Sequence, residues 1–241
     1  MQTGIYSAVS GGLAAQSRLD AVANNLANAS TPGFKAERFV QRADVAGNPA
    51  PRAPVVSTSI ARGRSETDFS QGPLEHTGNP LDVALSGPGF LVVATDRGER
   101  LTRRGNLGLD AGGFLSTSDG LRLQGEGGEI SVPAGPVAID PDGTVRANGQ
   151  SVGKLRVVTV QDPAQLVRES GTLFGAGSQP LTSAAAGDVQ VVQGAVEGAN
   201  VSPVQGLVAL IDVMRGFEAY VRAAERLDQT TARAITEVGR V

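Results

Sequence analysis

Two amphipathic segments at opposite ends of the chain, separated by everything from Phe34 to Ser202, constrain its folding more than any other feature. In the first, Ile5, Val9, Gly12, Gln16, Leu19, Ala23 and Leu26 step by 4 and 3. That is the seam of an amphipathic helix or a coiled coil, and Leu13 and Val22 widen it. The helix is expected to stop near Asn28, because Asn tolerates the left-handed C-terminal position. Ser30-Thr31-Pro32-Gly33 then reads as a turn in which Pro32 presets φ and Gly33 supplies φ > 0.

The second segment runs from Pro203 to Val238, with Ser202 as N-cap and Pro203 at the first helical position. Its apolar residues form two neighbouring stripes. Leu207, Ile211, Met214, Val221 and Ala224 make one; Leu210, Val213, Phe217, Tyr220 and Leu227 make the other. A helix with a single partner needs only one narrow stripe, so this one is expected to touch several neighbours. Asp212, Arg215, Glu218, Arg222 and Glu225, spaced by three or four, read as a solvated face of i,i+3 and i,i+4 pairs.

Between the helices the texture changes twice. Residues 36–80 have little apolar periodicity and carry Asn48-Pro49-Ala50-Pro51 and Ala53-Pro54, an extended connector with at most short strands. From Leu81 to Val160, short β-prone runs alternate with turn clusters such as Asp96-Arg97-Gly98, Asp119-Gly120, Asp142-Gly143 and Asn148-Gly149. The runs are Leu81–Leu85, Phe90–Thr95, Phe114–Ser116, Leu121–Gln124, Glu129–Val132, Val137–Ile139 and Lys154–Val160. Residues 161–199 are less regular, with a strand expected at Val189–Gln193. The expected class is α+β. Long terminal helices pair as a coiled-coil-like domain, and a central antiparallel β-rich domain forms a sandwich or open barrel. The segments are 1–35 (helix and turn), 36–80 (connector), 81–199 (β-rich domain) and 200–241 (C-terminal helix).

Composition removes several function classes. Zero Cys excludes disulfides, thiolate metal sites and thiol nucleophiles. His76 is the sole imidazole, so a multi-His metal site is excluded, and no G-x-S-x-G elbow supports a Ser-His-Asp arrangement. Gly149 to Lys154 is one residue short of a phosphate loop and continues into Leu155, so it reads as a hairpin turn. Asp140-Pro141-Asp142-Gly143 opens like a calcium loop but lacks the later ligands. Carboxylate pairs such as Glu126 and Glu129 sit among glycines with nothing apolar to raise a pKa. No catalytic residue, metal site or cofactor is expected. A net charge of −3 without a basic block argues against nucleic acid as partner. No stretch approaches the roughly 20 apolar residues of a membrane span. The N-terminus lacks the basic and apolar regions of a Sec signal.

The run Leu19-Asp20-Ala21-Val22-Ala23-Asn24-Asn25-Leu26-Ala27-Asn28-Ala29-Ser30-Thr31-Pro32-Gly33-Phe34-Lys35 resembles the N-terminal motif of bacterial flagellar axial proteins, the rod and hook proteins. A second likeness lies in Asn79-Pro80-Leu81-Asp82-Val83-Ala84-Leu85, followed by Gly87, Gly89, Phe90, Thr102-Arg103 and Gly105. A third is Asn200-Val201 leading to Arg215-Gly216-Phe217-Glu218 and Asp228. Essentially the whole chain is covered. Its short length, Gly4-Ile5-Tyr6 and its middle segment are more similar to proximal-rod members than to distal-rod members, although Tyr220 and Val221 stand where an Asn-Ser pair is usual.

The resemblance implies a structural subunit of the periplasm-spanning basal-body rod, transmitting torque and exported without a Sec signal through the flagellar type III apparatus. It implies partnership with other rod proteins and copies of itself, and no small-molecule substrate. It also implies that the terminal helices form an inner tube, with the β-rich domain outside. The expected assembly interface comprises Ile5, Val9, Leu19, Asn24, Asn25, Leu26 and Asn28 at the N-terminus and Leu207, Ile211, Met214, Phe217 and Val221 at the C-terminus. Asn24, Asn25 and Asn28 are suited to bond neighbouring backbones and fix register. A distal-rod or hook-type paralogue, and a secreted β-domain binding protein with helical stalks, remain alternatives at this point, as does a hydrolase built on His76.

Overall fold

The computed structural model describes residues 2–42, 62–185 and 187–238. They fall into two compact units. The helical unit takes Met1–Ala27, Glu37–Glu66 and Ser202–Val241, and the β unit takes Asn28–Ala36 and Thr67–Val201. The prolines at 49, 51 and 54 lie outside the described residues.

The helical unit contains α1 (Gln2–Ala27), β1 (Glu37–Arg42), β2 (Arg62–Thr67) and α2 (Pro203–Val238). At 1.5 Å per residue the helices are about 39 and 54 Å long. Proline heads α2 because its missing N–H would have had no partner there; the first intrahelical bond runs from the Gly206 N–H to the Ser202 carbonyl at 2.9 Å. The two helices run antiparallel, Gly11 lying beside Tyr220 and Gly206 beside Leu26. A Cβ built on Gly11 would meet Tyr220 Cε1 at 2.5 Å. β1 and β2 pair as a two-stranded sheet. A Cβ at Gly63 of β2 would fall 1.7 Å from the Phe39 ring, so only glycine leaves room for that ring.

The expected coiled-coil-like domain is not what forms, and the reason lies in side-chain size. A heptad seam needs large apolar knobs seated in holes. Here Gly11, Ala14 and Ala15 of α1 and Ala209, Val213 and Gly216 of α2 line a groove of about 320 Å³ instead of presenting large knobs. The expected seam residue Val9 and its neighbour Leu13 are 49% and 62% exposed. What stands of the expected class is a β-rich body in the sequence between two terminal helices.

The β unit opens with β3 (Leu74–His76), β4 (Val83–Ser86), β5 (Phe90–Thr95) and β6 (Gly98–Thr102). Its strands divide into a six-stranded sheet and several sheets of two or three strands. The larger sheet runs Val167–Ser170, Leu173–Gly175, β6, β5, Val157–Thr159, Thr182–Ser183, with antiparallel neighbours throughout. β5 is apolar on both faces, and strand alternation sends its side chains to different cores. Leu91 and Val93 join Val83, Leu85, Leu115, Leu123, Val145 and Leu155. Phe90 and Val92 join Leu101, Val158, Leu166 and Phe174. Around Phe174 the rings of Phe69 and Phe90 stand edge-on, with centroids 5.1 and 6.3 Å away.

The expected strand Phe90–Thr95 has those bounds, as does Val137–Ile139. The Asn148-Gly149 turn has φ of 52° and 80°, the left-handed pair of a tight hairpin. It joins Thr144–Ala147 to Gln150–Lys154. Lys154 therefore ends a strand, in keeping with the hairpin reading of Gly149 to Lys154. The aromatic core yields a direct test. Phe174→Ala removes a fully buried ring and should lower the unfolding free energy of the full chain by about 3–5 kcal/mol, measured by denaturant titration.

Candidate assembly interface

The two stripes of α2 part company in the structure. From the second stripe Val213 is 7% exposed and Leu210 and Phe217 are half-buried, so these three are turned inward, whereas Tyr220 is 43% exposed and the Leu227 side chain lies outside the described residues. From the first stripe, Leu207, Ile211, Met214 and Val221 are exposed, with Ile211 at 47%. Val204 and Val208 extend this band toward the start of the helix. A run of large aliphatic side chains along one exposed helix face exceeds the scattered apolar residues normal on a surface. Opposite in character is the charged face, where Arg222 Nη2 meets Glu218 Oε2 at 3.1 Å, both well exposed.

On α1, Val9 is exposed, Leu19 and Leu26 are half-buried and Asn24 is exposed, while the Ile5 side chain lies outside the described residues. Asn25 is occupied within its own chain. Its Nδ2 donates to the Glu37 carbonyl at 2.8 Å and its Oδ1 accepts the Glu37 N–H at 2.8 Å. The carboxamide thus does for the first residue of β1 what a neighbouring strand would do. Asn28 works locally, its carbonyl accepting the Thr31 N–H at 3.0 Å and its Oδ1 the Thr31 hydroxyl at 3.3 Å. Beyond the half-buried Pro32, Gly33 has φ 72°, and a Cβ there would lie 2.4 Å from the Arg104 nitrogen. Both conformation and space require glycine at this position.

Sequence reasoning missed a buried polar cluster in the β unit. Lys35 and Glu197 are fully buried, and Arg103 nearly so. Lys35 Nζ donates to Glu197 Oε1 at 2.5 Å and to the Ser70 carbonyl at 2.7 Å. Arg103 Nη1 reaches Glu197 Oε2 at 3.2 Å, and its Nη2 donates to the Gly87 carbonyl at 2.6 Å. The Gly72 N–H adds a bond to Glu197 Oε1 at 2.9 Å. Burial pushes the pKa of both cations down, against the pull of Glu197. Asn200 completes the set, its Oδ1 accepting the Ala36 N–H at 2.6 Å and its Nδ2 donating to the Asp68 carbonyl at 2.8 Å. Lys35, Arg103 and Asn200 all stand within the motifs quoted above. Glu197 carries no local signal, lying 162 residues from Lys35 in a stretch without clear periodicity.

The remaining polar candidates sit on turns and strands. His76 is exposed on β3, opposite Ala195. Asp142 caps its own turn by accepting the Thr144 N–H at 3.0 Å, and that bond holds its carboxyl below the usual range. Asp140 pairs with Arg146 at 2.6 Å. Glu126 pairs with Lys154 at 3.1 Å, and Glu129 with Arg122 at 2.8 Å. Among the described residues, no three His, Cys, Asp or Glu side chains group so as to hold a metal. No described helix is long and apolar enough to cross a membrane.

Asn25→Ala should cost about 1–2 kcal/mol of local stability, because the Glu37 N–H and carbonyl lose their partner together. Hydrogen exchange at the Glu37 amide would report it as faster exchange.

Three family models match in chain order. The flagella basal body rod protein model covers residues 5–35, the flagellar hook protein FlgE/F/G D1 domain residues 84–147, and the flagellar basal body rod FlgEFG protein C-terminal model residues 192–237. These spans hold Asn25, Gly33 and Lys35, then Arg103, then Glu197, Asn200 and the exposed stripe of α2. The chain is 31% identical to the flagellar basal-body rod protein FlgF of Caulobacter vibrioides, with both chains covered in full. It is 33% identical to FlgF of Salmonella typhimurium, over 97% of each chain. To the rod protein FlgG of Bacillus subtilis it is 31% identical, over 91% of this chain and 92% of that one. With three matching models in order and full-length similarity at this level, the chain belongs to the flagellar basal-body rod protein family.

Proposed function

We propose that this protein is a structural, non-enzymatic subunit of the flagellar basal-body rod, occupying the proximal segment and joining other rod proteins and copies of itself through its terminal helices. The observation that carries the reading is the exposed aliphatic band of Val204, Leu207, Val208, Ile211, Met214 and Val221 on a helix whose Leu210, Val213 and Phe217 are already turned inward. These side chains are about half exposed, so covering the remainder of one releases about 1 kcal/mol. Several along one helix supply a contact that repetition between subunits extends into a tube. The proximal position draws support from the full-length similarity to FlgF proteins. On this reading the chain reaches the rod through the flagellar type III apparatus, without a Sec signal, and binds neither nucleic acid nor a small-molecule substrate.

The band separates assembly from monomer stability. Ile211→Asp places a carboxylate on a half-exposed position and should change the stability of the isolated protein by no more than about 0.5 kcal/mol. In the assembled rod the same carboxylate is buried without a partner, so incorporation and swimming should be lost. Val213→Asp, at the inward position, should destabilise the isolated helical unit. Thermal melts of the purified variants, swimming assays and images of basal bodies from complemented deletion strains make the comparison. Normal rods with Ile211→Asp would remove the band from the interface. Intact rods in the deletion strain itself would overturn the function.

A further inference from the structure

We propose that Asn28–Ala36 is a releasable strap on the β unit, held by Lys35, Glu197 and Asn200, which opens and closes without disturbing the two apolar cores. Neither core draws on it: both are built from residues between Phe69 and Val191. The strap contributes one large apolar side chain, Phe34, buried against the Arg168 guanidinium, whose carbon lies 4.9 Å from the ring centre.

The rest of its attachment is polar. The Gly33 N–H donates to the Glu197 carbonyl at 2.7 Å, the Asp68 N–H to the Ala36 carbonyl at 2.8 Å, and the Asn200 N–H to the Phe34 carbonyl at 3.4 Å. Arg168 Nη2 donates to the Lys35 carbonyl. Lys35 adds its bonds to Glu197 and the Ser70 carbonyl, and Ala36 its bond to Asn200.

Such bonds are exchanged for bonds to water when a segment lifts off, and their net contribution is small beside that of an apolar core. A buried ion pair roughly breaks even against the water it displaces. Opening returns the Lys35 ammonium to water, relieving the burial that lowers its pKa, while Glu197 keeps Arg103. The strap can therefore lift while both apolar cores stay closed, and its partial opening is a local event of the kind hydrogen exchange resolves.

Native-state hydrogen exchange on the full chain tests this at increasing denaturant below the unfolding transition. The amides of Gly33 and Ala36 should exchange at least tenfold faster than those of the β5–β6 ladder, with a shallower dependence on denaturant because little surface is exposed. Lys35→Met, which leaves Glu197 paired with Arg103, should speed the strap amides at least a further tenfold and leave the ladder unchanged. Equal protection and equal denaturant dependence for strap and ladder in the wild-type protein would overturn the proposal, as would a Lys35→Met variant that accelerates both alike. The wild-type comparison stands even if that variant fails to fold.

Discussion

A single carboxylate, Glu197, compensates two cations inside the β unit, and three stretches of chain meet on it. Lys35 arrives from the segment after the first helix, the Gly72 amide from the segment before β3, and Arg103 from the end of β6. In a medium that excludes water, an unpaired ammonium or guanidinium costs several kcal/mol. Each cation therefore specifies where Glu197 must be, and Glu197 specifies both in return. Apolar packing would tolerate small slips of these segments, whereas a carboxylate shared between two donors at 2.5 and 3.2 Å does not. Asn200 repeats the arrangement with neutral groups three residues further on.

The helical unit follows a different economy of contacts. Gly11, Ala14, Ala15 and Gly216 line a groove between its helices, and Leu210, Val213 and Phe217 are the large side chains of α2 turned inward. The exposed aliphatic residues of α2 are thereby left for other surfaces. A heptad seam would have consumed Leu207, Ile211 and Met214 inside the monomer. The β1–β2 sheet takes its place from Asn25 and from the fit of Phe39 over Gly63 rather than from a deep core.

Local chemistry was legible in the sequence where it acts over a few residues. Asn148-Gly149 and Pro203 mark their turn and helix start because φ preference is a property of the residue itself. β5 was legible since six consecutive β-prone residues leave little choice. β6 was not recognised, because Gly98-Glu99-Arg100-Leu101-Thr102 carries two charges and only its last two residues are buried. Its strand character comes from pairing with β5, a tertiary effect. The helix pairing was misjudged for a related reason: a 3–4 repeat states which face is apolar but not what covers it, and small residues on adjacent positions redirected the contact. Lys35 and Asn200 stood in recognised motifs without a role, since Glu197 lies 162 residues from Lys35 and Asp68 lies 132 residues from Asn200.

The strap also determines how the β unit bears a load. Tension applied through α1 travels along the chain to Gly33 and Lys35 before it reaches any strand of the six-stranded sheet. Hydrogen bonds and ion pairs give way over an ångström or so of displacement, and the nine residues of the strap, once released, can span at most about 30 Å. The bonds to Glu197 and Asn200 would then act as a mechanical fuse, yielding first and re-forming when tension falls, while the aromatic core around Phe174 stays closed.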